Sequence, residues 1–259
     1  MSDTASLVLR FAAPLQAWGA ASRFIRRDTR AEPSKSGVIG LLAAAQGRRR
    51  CQPIDDLAAA TVGVRTDRAG EVLRDYHTVS DYRGQPLLST ATNAKGQQKR
   101  TTYPNKVTTR YYLSDAVFVV AVHHLDRYLL KDLAAALAAP AFPLSLGRRS
   151  CPPTQPLHLR TAEGKALWAG DASTVLAAVP FQAPGRATAG QLSVTLPVTV
   201  DDPAGADWSD DQPTSFGWAQ QRHTARPVSR TFVTLPADPA VNVADLDTGD
   251  GHDPFSLLG

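Results

Sequence analysis

The side chains in this sequence that are best suited to chemistry are basic and aromatic, and they occur in groups within the first 160 residues. Arginine and lysine can hold phosphates while bases stack on neighbouring aromatic rings, which is the usual basis of single-stranded RNA binding. A solvated charged face accounts for any one group, but several groups in the same part of the chain favour a polyanion partner. The candidate contacts are Arg26, Arg27, Lys35 and Ser36; Lys99, Arg100, Lys106 and Arg110; and Gly147, Arg148, Arg149 and Ser150.

A further group, Arg74, Tyr76 and His77, lies in the segment LRDYHTV. A tyrosine, a histidine and a nearby cation could cleave RNA by general acid–base catalysis. The simpler interpretation, which we favour, is that these side chains stack on RNA or form hydrogen bonds with it, because catalysis requires a convergence that sequence does not show. Both interpretations stay open at this point.

Metal, thiol and nucleotide chemistry have little support in the sequence. Cys51 and Cys151 are a hundred residues apart and neither belongs to a CxxC pair, so we expect no metal site and no cofactor. The segment SKSGVIG lacks the order of glycines and lysine found in a P-loop. Lys35 and Ser36 nevertheless lie at a predicted helix N-terminus, where backbone N–H groups and the helix dipole favour a phosphate.

The charge is distributed unevenly along the chain. Residues 1–160 carry 23 Lys and Arg against 12 Asp and Glu, whereas residues 161–259 carry 5 against 12. The basic part is the part expected to meet a polyanion. No apolar run approaches the ~18 residues of a membrane span and no export signal is evident, so we expect a cytoplasmic protein without membrane contact.

The apolar pattern predicts the elements that would position these side chains. LVLRFA is typical of a buried strand, and VIGLLAAAQ of a helix capped by Ser34 or Ser36 and ended by Gly47. TVGVRTDR and EVLRDYHTV are predicted to be two strands of a hairpin turning at Ala69-Gly70. DAVFVVAV follows as a buried strand, and Asp126 caps the next helix.

Three further segments complete the predicted organisation. Residues 81–110 are polar and suit a protruding hairpin. After residue 155 the composition becomes β-rich, and residues 236–259 form an acidic tail. We therefore predict a body over residues 1–154, a β-rich region over 155–235 and a tail over 236–259. The order of elements favours an α+β fold with a ferredoxin-like, RRM-related β-α-β-β-α-β body.

Five segments, in this order, carry a family resemblance: LRFAAPLQAWG, PSKSGVIGLLAAAQG, LRDYHTV, RYYLSDAVFVVAV and FPLSLGRRSCPPTQPL. Over about residues 5–157 the sequence resembles the CasD-type subunits of type I-E CRISPR Cascade, which are the fifth Cas family within the RAMP superfamily. This resemblance implies a ferredoxin-like body with a protruding thumb at about residues 81–110 and a small β-rich C-terminal region.

The resemblance also implies a function and partners. Such subunits hold the 5′ handle of the crRNA, contact a backbone subunit through the thumb and lie beside the large PAM-reading subunit, so that they meet target DNA only indirectly. The residues of GRRSCPP imply a tight turn at Gly147, arginines at 148 and 149 that face RNA phosphate or a flipped base, and a packing role for Cys151. Type I-E members are non-catalytic, whereas some relatives in other subtypes are metal-independent endoribonucleases, which keeps catalysis by Tyr76 and His77 as the alternative.

Overall fold

The computed structural model describes residues 4–19, 25–80, 83, 88–100, 105–183, 193–217 and 222–237. Within these ranges no helix is both long and apolar enough to cross a membrane. The helices are α1 (Lys35–Ala45), α2 (Asp55–Ala58), α3 (Arg127–Ala138) and α4 (Ala172–Ala178). The strands are β1 (Ala5–Ala12), β2 (Leu15–Gln16), β3 (Arg26–Arg27), β4 (Thr61–Arg68), β5 (Glu71–Ser80), β6 (Leu88–Thr92), β7 (Gln98–Arg100), β8 (Asn105–Ser114), β9 (Val117–His123), β10 (Trp168–Ala169), β11 (Ser193–Asp201), β12 (Asp207–Ser215) and β13 (Arg222–Pro236).

The central sheet has seven strands in the order β10-β1-β9-β4-β11-β13-β12, and all neighbouring pairs are antiparallel. Its first four strands reproduce the fourth-first-third-second order of a β-α-β-β-α-β unit, with α1 and α3 as the two connecting helices. The predicted ferredoxin-like α+β class is therefore confirmed.

The sheet is covered on both faces, which explains why β1 and β9 have continuous apolar sequences. Successive side chains of a strand point to opposite faces. Leu7 and Leu9 pack into the cluster that contains α1 and α3, whereas Val8 packs with α4. We call these the α1/α3 face and the α4 face of the sheet.

The helix boundaries follow the predicted capping signals. Ser34 Oγ accepts a hydrogen bond from the Gly37 amide at 3.2 Å, so Ser34 rather than Ser36 caps α1. Gly47 has φ +78° and ends this helix, as expected for a glycine in the left-handed region. Asp126 caps α3 through hydrogen bonds from the amides of Tyr128 and Leu129.

The fourth strand of the unit is interrupted. Residues 157–159 run beside β1, with the Leu159 amide donating to the Val8 carbonyl at 2.9 Å. The chain then leaves the sheet and returns at β10, which pairs with Ala5 and Ser6. The outer edge of β1 is thus covered by two short pieces rather than by one strand.

The hairpin predicted at Ala69-Gly70 is wrong. β5 does not pair with β4; it pairs along its whole length with β8. Gly70 has φ +72°, and a Cβ atom there would meet the Ser114 carbonyl oxygen at 2.3 Å. The glycine therefore redirects the chain out of the central sheet instead of folding it back on β4.

The projecting hairpin begins earlier and ends later than the polar stretch that predicts it. Its stem is the β5–β8 pair, and β6 pairs with β7 further out. We call β5 and β8 the stem.

The β-rich segment after residue 155 supplies β11, β12 and β13, and β11 pairs with β4, so these strands extend the central sheet. The predicted boundaries between regions stay a prediction, and residues 238–259 of the predicted tail lie outside the described residues.

One buried cation joins α4 to the central sheet. The Arg65 side chain is fully buried, and its guanidinium forms two bonds with the Asp67 carboxylate at 2.6 and 2.9 Å. Its other N–H groups donate to the carbonyls of Leu176, Val179 and Pro180 at the end of α4. All five donors are satisfied, as a buried guanidinium requires.

We expect Arg65→Met to lower the free energy of unfolding by about 3–5 kcal/mol, because it leaves the Asp67 carboxylate buried without its partner. Urea denaturation of the purified protein measures the loss. Arg49→Met removes an exposed arginine and should change stability by no more than about 0.5 kcal/mol. Equal midpoints for the two variants would contradict a supporting role for Arg65.

Candidate nucleic-acid interface

Most of the predicted RNA contacts that the structure describes lie on or beside the stem. β5 occupies one edge of β8, while β2 and β3 pair with β8 as well, β3 in parallel. Because β5 pairs with the whole of β8, the short β2 and β3 lie along its other edge. The register of these pairs decides which side chains share a face.

One side of the stem, which we call the aromatic face, carries rings and arginines. Tyr76 of β5 and Arg26 of β3 are both in register with Thr109 of β8. The Arg26 guanidinium lies over the Tyr111 ring, 5.2 Å from its centroid. Arg74 is in register with Tyr111, and 62% of Tyr76 is exposed. An unstacked base could lie on this exposed ring while the guanidinium groups hold phosphate.

The opposite side, which we call the basic face, carries cations. Arg27 of β3 and Asp75 of β5 flank Arg110 of β8 in register. The His77 imidazole lies beside the Asp75 carboxylate, and Lys106 lies further along β8. The Arg110 Nε atom has no hydrogen-bond acceptor among the described residues. Three cations (Arg27, Lys106 and Arg110) against two carboxylates (Asp75 and, at the base of the stem, Glu71) leave this face net positive without counting His77.

Tyr76 and His77 are therefore separated. They are adjacent on β5, so their side chains project from opposite faces of the stem. The structure gives no single phosphate position that both could reach from one strand. The two residues are brought into the interface but not into one catalytic arrangement.

The loop GRRSCPP lies against the segment that leads to β3. Gly147 has φ +89°, and a Cβ atom there would stand 1.7 Å from the Ala17 carbonyl oxygen. The Ala17 amide donates to the Leu146 carbonyl at 3.1 Å. Only glycine permits this approach of two backbones. Cys151 is buried in the core, which confirms its predicted packing role, and burial raises the pKa of its thiol.

Arg148 is half-buried and its guanidinium contacts carbonyls of the protein, so its predicted contact with RNA stays a prediction. It donates to the carbonyls of Tyr111 at 3.0 Å and Arg27 at 2.8 Å, and it stacks on the Tyr112 ring at 4.7 Å. It therefore ties β8 to the end of β3. Arg149 and Ser150 are exposed beside it and remain candidate contacts.

Lys35 was predicted to contact RNA and requires a correction, because only 5% of it is exposed. Its ammonium donates to Asp201 at 2.8 Å. Its backbone amide donates to Asp211 at 2.7 Å, so a carboxylate of β12 occupies the helix N-terminus where a phosphate was expected. Arg226 of β13 bonds both carboxylates. Ser36 is half-buried.

Burial of this charge cluster shifts the proton affinity of its cations. Desolvation and, as a smaller cause, the nearby Arg226 guanidinium together lower the pKa of Lys35 from 10.5 to about 8. Desolvation also lowers the pKa of Arg226 to about 10. Sequence reasoning missed Asp201, Asp211 and Arg226, since the only local signal was the repeated Asp-Asp pair in a strand.

The side chains of two predicted RNA contacts lie outside the residues that the structure describes. Lys99 and Arg100 belong to β7, but their side chains are outside what the structure describes. Among the described residues no group of three or more His, Cys, Asp or Glu side chains could hold a metal ion.

Three comparisons with known proteins agree with one another. A sequence model of a CRISPR-associated protein family, Cas5, matches residues 6–229. The chain is 35% identical over 175 residues to the CRISPR system Cascade subunit CasD of Escherichia coli (strain K12), across 61% of this chain and 71% of that protein. It is similar to a chain of a CRISPR RNA-guided surveillance complex, with a TM-score of 0.73 and 34% identity over 93% of this chain and 96% of that one. A Cas protein crystal structure matches with a TM-score of 0.66 and 33% identity, over 90% and 99% of the two chains.

We expect Gly147→Ala to destabilise the protein more than Gly164→Ala. Gly164 has φ +77° and open space around its Cβ position, so its substitution measures the left-handed backbone strain alone, about 1–2 kcal/mol. Gly147→Ala adds the overlap with Ala17 and should lose about 1–3 kcal/mol more. Thermal and urea unfolding measure both variants. Equal losses would show that the loop can move away from Ala17 without cost.

We expect the stability of the wild-type protein to rise relative to Lys35→Met as the pH rises above 8. Between the folded pKa of about 8 and the ordinary value of 10.5, the unfolded chain binds more protons, so raising the pH favours the folded state. The relative gain should reach about 2 kcal/mol near pH 9.5. Urea titrations at several pH values test this, with the exposed Lys131→Met as control. A constant difference across the range would contradict a depressed pKa.

Proposed function

The chain belongs to the Cas5 family of CRISPR-associated proteins, as its sequence motifs predict, and we propose that it is the crRNA-binding subunit of a type I-E surveillance complex. In this proposal it caps the 5′ handle of the crRNA and serves as a structural subunit rather than an enzyme. Like the CasD subunit of Cascade to which it is similar, it works as part of a ribonucleoprotein assembly. We place that assembly in the cytoplasm, where the exposed free thiol of Cys51 would stay reduced.

The observation that carries the proposal is the set of side chains on the stem, which has rings and arginines on one face and cations on the other. The aromatic face offers Tyr76 and Tyr111 for stacking, next to Arg26 and Arg74. Backbone phosphates supply affinity without sequence preference, whereas stacking and pockets for splayed bases supply selectivity. A single strand of RNA that bends at the stem could meet both chemistries.

The stem also carries apolar side chains suited to a protein partner. The exposed fractions of Val72 and Leu73 at its base are 67% and 44%, and those of Val79 and Val107 further out are 45% and 39%. Exposed apolar residues grouped on one hairpin are typical of interaction sites. Val72 and Val107 share the aromatic face, and Leu73 and Val79 share the basic face. We assign these side chains to contacts with the neighbouring backbone subunit. The large PAM-reading subunit is the second protein partner in the proposal, and target DNA is reached through it.

A repeat-specific endoribonuclease is the alternative, and one observation keeps it testable. The His77–Asp75 pair is an arrangement in which a carboxylate orients an imidazole for proton transfer. Tyr76 cannot join it on the same face. Catalysis would therefore rest on His77 with a partner other than Tyr76, and it would need no metal ion.

The test measures binding and cleavage together, with the purified protein and its cognate repeat RNA in EDTA. We expect full-length RNA, with tighter binding to the handle than to a scrambled sequence. Arg110→Gln should weaken binding to all RNAs alike and lower the salt slope of binding by about one unit. Tyr76→Ala should lose about 1–3 kcal/mol of binding free energy. Arg49→Gln, which removes an exposed arginine that belongs to neither β5 nor β8, is the matched control.

Two results would contradict the proposal in different ways. A discrete cut in the repeat that His77→Ala abolishes would make the protein a processing enzyme. Equal binding to handle and scrambled RNA, with Arg110→Gln and Arg49→Gln equally weakened, would leave only a non-specific charge effect.

A further inference from the structure

An exposed tryptophan lies on β12, the last strand in the order of the central sheet. The exposed fraction of Trp208 is 65%. Trp208 is in register with Pro227 of β13, and two residues further along β13 Ser229 is in register with Val200 of the α4 cluster. Since alternate residues of a strand share a face, Trp208 projects from the α4 face. Its exposure shows that α4 does not cover this part of the face.

The turn between β11 and β12 lies beside Trp208 and has a fixed shape. The Asp202 amide donates to the Pro227 carbonyl at 3.3 Å, and the Gly205 amide donates to the Asp202 carbonyl at 2.9 Å. A Cβ atom on Gly205 would stand 2.4 Å from the Val228 carbonyl oxygen, so the turn packs directly on β13. Trp208 and the exposed residues of the turn form an apolar surface that we call the Trp208 patch: Pro203, Ala204, Ala206 and Trp208.

Asp210 places a carboxylate on the same side of β12 as Trp208. Ser209 and Asp211 both contact the Arg30 guanidinium, at 2.8 and 3.6 Å, so they project together from the opposite face. These contacts show that side chains alternate over residues 209–211, although the register with β13 shifts after Ser209. Asp210 lies between the two and is exposed, and it therefore shares the α4 face with Trp208.

Asp202 supplies a second carboxylate beside the Trp208 patch. It accepts hydrogen bonds from the Ser229 hydroxyl at 2.5 Å and from the Ala204 amide at 2.9 Å. These bonds lower the pKa of the Asp202 carboxyl, so it is ionised at neutral pH. Because Ser229 projects from the α4 face, the carboxylate that it bonds lies on that face as well.

The cations of the neighbouring strand lie on the other side of the sheet. Arg226 and Arg230 of β13 project from the α1/α3 face, where they pair with other carboxylates. No ion pair among the described residues includes Asp202 or Asp210. The Trp208 patch is therefore bordered by two carboxylates that lack a cation partner in the part of the chain that the structure describes.

The combination of an exposed ring and carboxylates fits a guanidinium group. A planar guanidinium stacks on an indole ring and can bond a carboxylate through two parallel N–H groups. Carboxylates repel the phosphates of RNA, and residues 238–259 of this chain, with five Asp and no Lys or Arg, carry the same sign of charge. We propose that the Trp208 patch binds an arginine-bearing segment of another protein.

Calorimetric titration of the full-length protein tests the proposal, with tetra-arginine, tetra-lysine and tetra-glutamate peptides as probes. We expect tetra-arginine to bind and tetra-glutamate not to bind. Tetra-lysine should bind about threefold more weakly than tetra-arginine, because an ammonium cannot form the paired bonds to a carboxylate. The titrations are run at low ionic strength, since salt screens exposed charges.

Variants of the patch are compared with matched variants of α3. Trp208→Ala should weaken tetra-arginine by about threefold or more, because the stacking surface is lost. Asp210→Lys should weaken it by about fivefold, since attraction becomes repulsion, and it keeps the test decisive if Trp208→Ala does not fold. Tyr128→Ala removes a ring that is 80% exposed, and Asp132→Lys makes the same change of charge at another exposed position. Both controls should bind tetra-arginine as the wild type does.

Four results would overturn the proposal. Tetra-arginine could fail to bind at millimolar concentration, or tetra-lysine could bind as tightly. Equal weakening by the patch variants and their α3 controls would reduce the effect to net charge. Self-association in sedimentation velocity that Trp208→Ala abolishes would assign the patch to a second copy of this chain. None of these results bears on the proposed function, because the titrations contain no RNA and the patch includes no residue of the stem.

Discussion

The position of the interface depends on the contact between two backbones, at Gly147 and Ala17. No side chain fits between them, since a Cβ atom on Gly147 would overlap the Ala17 carbonyl oxygen. This contact brings Arg148 within reach of the carbonyls of Tyr111 and Arg27. The arginine then holds β3 against β8, and the paired strands fix which side chains share a face. The path of the loop thus fixes the spacing of the cations on the stem.

The two parts of the chain, with opposite net charge, interact through buried ion pairs. Asp201 and Asp211, from the acidic part, bond Lys35 of the basic part and Arg226 of their own. Both carboxylates form ion pairs inside the protein, so they do not repel a polyanion at the surface. Two cations of the basic part take part in these pairs, Lys35 with Asp201 and Arg30 with Asp211 at 3.6 Å. Net charge by segment therefore indicates the sign of a surface only after the buried pairs are removed from the count.

Local signals were enough to predict the elements that form the body. The apolar runs of β1 and β9, the cap at Asp126 and the glycine at position 47 all have causes within a few residues. The partner of β5 could not be predicted this way, because its residues pair with residues of β8 that lie 25 to 43 positions further along the chain, and the polar stretch between them carries no periodicity. The sequence pattern predicts a turn at Gly70, but it does not predict the direction that the chain takes after the turn.

The same limit applies to the candidate site. A lysine at a helix N-terminus and an arginine in a glycine loop have the composition of phosphate contacts, and sequence alone cannot show what else they meet. The carboxylates that bond Lys35, those of Asp201 and Asp211, lie 166 and 176 residues further along the chain. The carbonyls that accept hydrogen bonds from Arg148, those of Tyr111 and Arg27, lie 37 and 121 residues earlier. Tyr76 of β5 and Arg26 and Arg27 of β3 are exposed, which is compatible with their predicted role, although their strands also pair with a distant partner, β8.

The interrupted fourth strand has a consequence for how the protein is made. β1 is synthesised first, but its neighbours in the sheet are β9 and residues 157–169, and β4 must wait for β11. Pairing between such distant segments is slow because a long loop must close before any contact forms. The nascent chain therefore emerges from the ribosome with open strand edges, which are the surfaces most prone to association with other chains. All seven strands of the central sheet are available only after β13 has been translated, so the sheet is completed late in synthesis.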